Sequence, residues 1–292
     1  MNLPSNIKLP YFAYGLFKPD ELAYNQIKNF VERFSEETFF DGALKVRDGL
    51  PLLLQVKGSQ VRGYLIHFKE EHFRKAYERI SEFEPEKHYR WEECDLSEPS
   101  TRVNILIGKS PQKGSLEYEG NGWRGRDDPL FNEALVVIGD VVNQFAQKEF
   151  ESEPSEHFDW ARFFKLQMAY QLLWSSIERY CSLAYGPKLK PIDKLNKFAG
   201  DDVFKTALKN AVNRDGVIFD SRDPKTNYKL DPDNPVSSIK YYYGVRSNLS
   251  HRGKGTWKDG NIILSSLKEM HEIFQRVVNE KIFKQENDLV TS

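Results

Sequence analysis

The hydrophobic period changes once along this chain, and that change limits the folds open to it. Up to about residue 107 the apolar residues come in short runs set between Gly, Pro and Asp. From about residue 129 onward they recur at helical spacing. Strands are expected at Phe39 to Val46, Leu50 to Val56, Val61 to Phe68, Tyr89 to Leu96 and Val103 to Ile107, with a short one at Tyr11 to Ala13. One helix is expected from Pro19 through the stripe Ile27, Phe30, Val31 and Phe34, and another from Glu70 to Phe83, stopped by Pro85. Many strands and few helices suggest a small mixed barrel. Between Gly108 and Gly122 the composition turns to Gly, Ser, Lys and Glu, which reads as a linker.

Helices are then expected at Pro129 to Glu149, His157 to Tyr185, Asp202 to Val212, Val236 to His251 and Asn261 to Phe283. A polar loop rich in Asp, Asn and Pro precedes the last two, and no internal repeat is evident. The expected class is α+β, a small mixed β-barrel followed by an all-α helical bundle. The domains are residues 1–110, a linker at 111–124 and a helical domain at 125–292.

A chain of 292 residues is long enough for two buried cores. Its net charge of -1 argues against wholesale coating of nucleic acid, so any such binding needs a local patch. Cys94 and Cys181 lie far apart and suggest neither a disulfide framework nor a thiolate metal cage. The start Met1-Asn2-Leu3-Pro4-Ser5 lacks the charged and apolar regions of a signal peptide, and no run of roughly 18 apolar residues is present. A cytoplasmic location without membrane contact is expected.

The local patch is Tyr243-Gly244-Val245-Arg246-Ser247-Asn248-Leu249-Ser250-His251-Arg252-Gly253-Lys254. From Lys240 to Lys258 there are five Lys/Arg residues and no Asp or Glu. A compact cationic site with one imidazole suits phosphodiester chemistry. Residues five apart on a helix are about 140° apart, so Arg246 and His251 share a face only if the last turn frays before Gly253. Tyr242 and Arg246 do share a face, as do Ser247 and His251. Glu178, in the apolar region of the long helix, is either a partner for the Arg or His or, by preference, a solvated acid. A cationic helix C-terminus that only complements the helix dipole is the plainer alternative.

This run resembles the Arg-x-x-x-x-His signature of the HEPN (higher eukaryotes and prokaryotes nucleotide-binding) domains, over about residues 125 to 290. The resemblance implies a helical bundle with its cleft at a two-fold homodimer interface and catalysis by Arg246 and His251. It implies metal-independent cleavage of RNA, with no cofactor and no metal site. Asn248, Lys240, Arg252 and Lys254 are the expected substrate contacts. Where the family often has Arg-Asn, Ser247 follows Arg246 here.

Two further features lie in the first half. Tyr14-Gly15-Leu16-Phe17-Lys18-Pro19 joins a strand to an expected helix start, a place where backbone N–H groups can cradle an anion. Glu84 ends the second helix, where the dipole and the neighbouring Glu82 and Glu86 favour its protonated form, or it is a surface acid in an acidic turn. The ordered series Tyr14-Gly15-x-Phe17, Gly42, Gly49-x-Pro51, Gly63-Tyr64-Leu65, Phe83-Glu84 and Tyr89 resembles the gamma-glutamylcyclotransferase-like family over residues 9 to 107. The resemblance implies a pocket formed by Tyr14, Gly15, Leu16, Phe17 and Tyr89. In it Glu84 would deprotonate the α-amine of a γ-glutamyl compound and release 5-oxoproline. Pro85 stands where the family commonly has Gly, and Ile80-Ser81 where it has Leu-Asp. Three readings follow: a ribonuclease with a small-molecule domain, a cyclotransferase with a helical dimerisation domain, and a non-catalytic nucleotide- or protein-binding module.

Overall fold

In the computed structural model the described residues are 1–96, 100–109, 114–145, 149–150, 158–220, 223, 225–252 and 259–283, with Glu36, His251 and Arg252 described by backbone alone. The protein is α+β and divides into two compact units. One is Met1–Asp128 with Ser182–Leu189; the other is Pro129–Cys181 with Lys190–Ser292.

The first unit carries strands β1 (Tyr11–Ala13), β2 (Val31–Asp41), β3 (Ala43–Arg47), β4 (Leu50–Leu54), β5 (Gln60–Phe68), β6 (Tyr89–Leu96), β7 (Thr101–Gly108) and β8 (Leu116–Glu117), and the helix α1 (Phe73–Phe83). Five strands form one sheet in the order β2-β5-β1-β7-β6, and β4-β3-β8 form a second. β1 runs parallel to β7 and antiparallel to β5. Phe12, Ile66, Val103 and Ile105 fill the core beside Ala76, Tyr77 and Ile80 of α1. The Tyr77 hydroxyl donates to the Leu9 carbonyl at 2.6 Å and accepts from the Asn104 amide at 2.9 Å, so the buried phenol is satisfied.

Three expectations change here. The helix from Pro19 to Phe34 is absent: Leu22–Gln26 and Lys28–Phe30 are 3₁₀ turns, and Val31 to Phe34 pair with β5. Of the apolar stripe, Ile27 is fully buried between the two 3₁₀ turns, Phe30 ends the second, and Val31 and Phe34 belong to the strand. The strand expected over Phe39 to Val46 breaks at Gly42, where a Cβ would lie 2.7 Å from the Leu54 carbonyl oxygen. The described part of the expected linker is built into the first unit. β8 pairs with β3, Trp123 is fully buried, and its indole N–H donates to the Gly49 carbonyl at 3.2 Å.

A buried carboxylate secures that stretch further. Glu21 accepts the Gly125 N–H at 2.9 Å and lies 3.8 Å from the Lys18 ammonium, both side chains almost fully covered. Burial pushes the Glu21 carboxyl up to about 8 against the pull of Lys18.

The second unit contains α2 (Glu133–Phe145), all but the last four residues of α3 (Trp160–Tyr185), α4 (Pro191–Ala199), α5 (Asp202–Ala211), α6 (Pro235–Arg252) and α7 (Gly260–Val278), with a π turn at Asn279–Phe283. α7 packs against α2 and α5, and α4 against α6. The sequence reading missed α4, a nine-residue helix begun by Pro191. The expected polar loop contains an antiparallel hairpin, β9 (Gly216–Phe219) with β10 (Asn227–Leu230), so this unit is not all-α. The hairpin reaches α6 closely at Gly244, where a Cβ would lie 3.0 Å from the Tyr228 ring and 3.1 Å from Ile218. No described helix is long and apolar enough to cross a membrane.

Glu21 gives the first unit a defined pH response. The folded state holds the proton that the unfolded state releases near pH 4.5, so the stabilisation is complete below that value and is lost as pH rises through about 8. Unfolding midpoints should fall from pH 5 to pH 8 in the native chain. In Glu21→Gln that fall should shrink; an unchanged slope would remove Glu21 as its cause.

Candidate functional sites

In the first unit, the loop after β1 turns at Gly15, whose carbonyl accepts the Lys18 N–H at 3.1 Å. A Cβ on Gly15 would lie 2.8 Å from the Pro51 ring, which accounts for the glycine. Tyr14, Leu16 and Phe17 are buried rather than displayed. The Tyr14 hydroxyl donates to the Leu106 carbonyl at 2.8 Å, and the Tyr89 hydroxyl to the Pro51 carbonyl at 2.9 Å.

Glu84 caps the C-terminal end of α1 and is buried, not a surface acid. Phe83 before it meets Phe17 edge-on at 5.3 Å. Burial foremost, with the Glu84 carboxylate adding to it, pushes both Tyr11 and Tyr14 well above the usual phenol range. The loop and the end of α1 thus lie side by side. The expected helix N-terminus is absent: a five-residue 3₁₀ turn follows the loop, with the buried Glu21 at its start. That arrangement offers a carboxylate where an anion cradle was expected. The acidic-turn argument also changes, since Glu82 is held by Arg79 at 2.7 Å.

In the second unit, α6 is fixed in rotation by a buried polar network. Glu269 of α7 receives the Arg214 guanidinium at 2.6 and 2.9 Å and the Tyr242 hydroxyl at 2.8 Å. Arg214 also reaches the Tyr241 hydroxyl at 3.3 Å, and the Tyr170 hydroxyl of α3 donates to the Tyr242 carbonyl at 2.9 Å. Burial, reinforced by the Glu269 carboxylate, drives the Tyr242 phenol far above its usual range. The sequence reading passed over this network. Its signal was Glu269 itself, a lone acid in the helical stripe Ser266, Glu269, Met270, Ile273.

Arg246 stands one turn beyond Tyr242, facing α3. Its guanidinium lies 3.3 Å from the Glu178 carboxylate and over the Tyr243 ring at 5.6 Å, with the side chain about a quarter exposed. Glu178, read first as a solvated acid, is therefore the partner of the arginine. Gln171 of α3 donates to Ser250 at 2.9 Å, and Ser250 donates to the Arg246 carbonyl at 3.0 Å. Along the same face of α3 run Trp160, Phe164 and Met168, 49%, 51% and 71% exposed.

The helix runs through to Arg252, so the backbone is not frayed at His251. His251 therefore leaves α6 about 140° from Arg246. The side chains of His251 and Arg252, and Lys254 altogether, lie outside the described residues. Asn248 points away from Arg246, donating to the Phe219 carbonyl of β9 at 2.9 Å. Lys240, six positions before Arg246, also leaves the helix on another side. Arg246, Asn248 and Lys240 therefore leave α6 on different sides. Among the described residues no group of three or more His, Cys, Asp or Glu is placed to hold a metal ion.

No family model matches the chain, and no curated protein matches it. Among solved structures, an uncharacterized protein from Pyrococcus horikoshii is similar over 37% of this chain and 86% of its own, at 18% identity and a TM-score of 0.30. Allophanate hydrolase from Kluyveromyces lactis is similar over 40% of this chain at 15% identity and a TM-score of 0.33, and this chain spans 20% of that enzyme. At these values the likenesses assign neither family nor activity.

Proposed function

We propose that the second unit cleaves single-stranded RNA without a metal, at a site built on the C-terminal half of α6. The observation that carries this reading is Arg246, half-buried, held by Glu178 and one and a half turns before His251 in a single helix. A neutral His251 takes the proton of a 2′-hydroxyl. That oxygen attacks the adjacent phosphorus, the bond to the 5′ oxygen breaks, and the leaving oxygen takes a proton from water. Arg246 neutralises the charge that builds on the phosphate. The products are a 2′,3′-cyclic phosphate and a 5′-hydroxyl.

The angle between Arg246 and His251 on an intact helix favours a cleft shared by two copies, as the HEPN resemblance implies. The exposed ridge of Trp160, Phe164 and Met168 offers such a pairing apolar surface. Glu178 orients the arginine. Because so exposed an ion pair contributes at most about 1 kcal/mol, Glu178→Gln should leave stability nearly unchanged while lowering cleavage.

With EDTA present, Arg246→Ala and His251→Ala should each lower cleavage roughly a hundredfold. Mixing the two variants should restore part of it, because a mixed pair retains one Arg246 and one His251. Full activity in His251→Ala would overturn the mechanism, and no recovery on mixing would overturn the shared cleft.

A second reading concerns the first unit, and the convergence of Glu84 with Tyr11, Tyr14 and Phe17 favours it. The gamma-glutamylcyclotransferase-like resemblance gives Glu84 the role of base toward the α-amine of a γ-glutamyl compound. Glu84→Gln should then abolish 5-oxoproline release without unfolding the unit. Failure of the native chain to turn over a panel of γ-glutamyl dipeptides and amines would retire the transfer reaction.

A further inference from the structure

Beside the hairpin, the second unit carries a partly open cavity of about 270 Å³. Phe219 of β9, Val245 and Leu249 of α6 and Ile263 of α7 supply apolar walls, with Asn248 and Asp259 as its polar groups. Apolar walls with a few fixed polar groups are the composition of a ligand pocket. The Asn248 amide donates to the Phe219 carbonyl at 2.9 Å and so ties the strand to the helix beside the cavity. Phe219 is 56% exposed, an aromatic left open at the end of the short apolar strand β9.

The position of the cavity along α6 matters as much as its lining. Val245, Asn248 and Leu249 place it on one face of the helix. In backbone register that face continues to position 252, three after Leu249, in the last turn of the helix. Single-stranded RNA is recognised in this way, by a splayed base stacked on an aromatic side chain and hydrogen-bonded along its edge.

We propose that this cavity receives one nucleobase of a single-stranded RNA, seated next to the phosphate that lies at the last turn of α6. The identity of the strand rests on the ribonuclease reading above; the affinity of the cavity for a flat heteroaromatic ring does not. Phe219 supplies the stacking face and the aliphatic residues exclude water from it. Asn248 and Asp259 meet the polar edge of the ring.

The test is direct titration of the full chain with AMP, GMP, CMP and UMP by calorimetry, alongside Phe219→Ala and Leu249→Trp. At least one mononucleotide should saturate the native chain. Phe219→Ala should weaken it about fivefold or more, the loss expected for one base–aromatic stack. Leu249→Trp fills the cavity and should abolish binding. Phe219 is exposed enough that its truncation should leave thermal unfolding unchanged, which keeps the test valid if Leu249→Trp does not fold. No binding at millimolar nucleotide, or equal binding by the native chain and Phe219→Ala, would overturn the proposal. Nucleotide binding that weakens in Phe219→Ala while RNA stays uncut would support the cavity and remove the nuclease reading. RNA cleavage without any mononucleotide binding would do the reverse.

Discussion

The Glu269 carboxylate is the interaction on which the second unit depends. It sits in the apolar stripe of α7, nearly covered, and binds a forked guanidinium and a phenol at once. A bidentate arginine fixes direction as well as distance. Tyr242 therefore has one allowed rotation of α6, and everything further along that helix inherits it. Arg246 faces α3 and Glu178, Asn248 faces the hairpin, and Val245 and Leu249 line the cavity. Removing one partner from a buried pair of this kind typically costs about 3–5 kcal/mol, because the other charge stays behind. Such a network specifies one orientation more than it adds net stability.

The two units use buried charge differently. In the second, the acid has a full set of partners and the residues around it are held rigidly. In the first, burial of Glu21 outweighs the Gly125 N–H, the lysine 3.8 Å away and the nearby Arg124, so its charge is not kept at neutral pH. Glu84 lies nearby in sequence terms only through α1, yet the fold brings it to Tyr14, and burial dominates the chemistry of both tyrosines. Glu21, raised to about 8 by burial, makes the stability of this unit sensitive to pH.

How much of this was legible in the sequence depended on range. Helical spacing located α1, α2, α3, α5, α6 and α7 because each hides one face. The stripe Ile27, Phe30, Val31, Phe34 misled, because a 3₁₀ turn running into a strand imitates a helix over four residues. The hairpin was hidden by the polar residues between β9 and β10, which outweigh two four-residue strands in any window. The Arg214–Glu269 pair joins residues 55 apart, and nothing local in the sequence announces a partner at that distance. Trp123 was the overlooked sign that residues 111–124 pack, since so large an apolar side chain is rarely left on a free linker.

In the proposed mechanism Arg246 and His251 act on a substrate whose own 2′-oxygen is the nucleophile. The most direct measurement is cleavage of an RNA strand in which a single ribose, at the position that is cut, carries hydrogen in place of the 2′-hydroxyl. Cutting at that position should vanish in EDTA while neighbouring positions are cut as before, with 2′,3′-cyclic ends. Continued cutting at the modified position, or ends bearing a 5′-phosphate, would mean that water or a metal-bound hydroxide attacks, and would contradict the account.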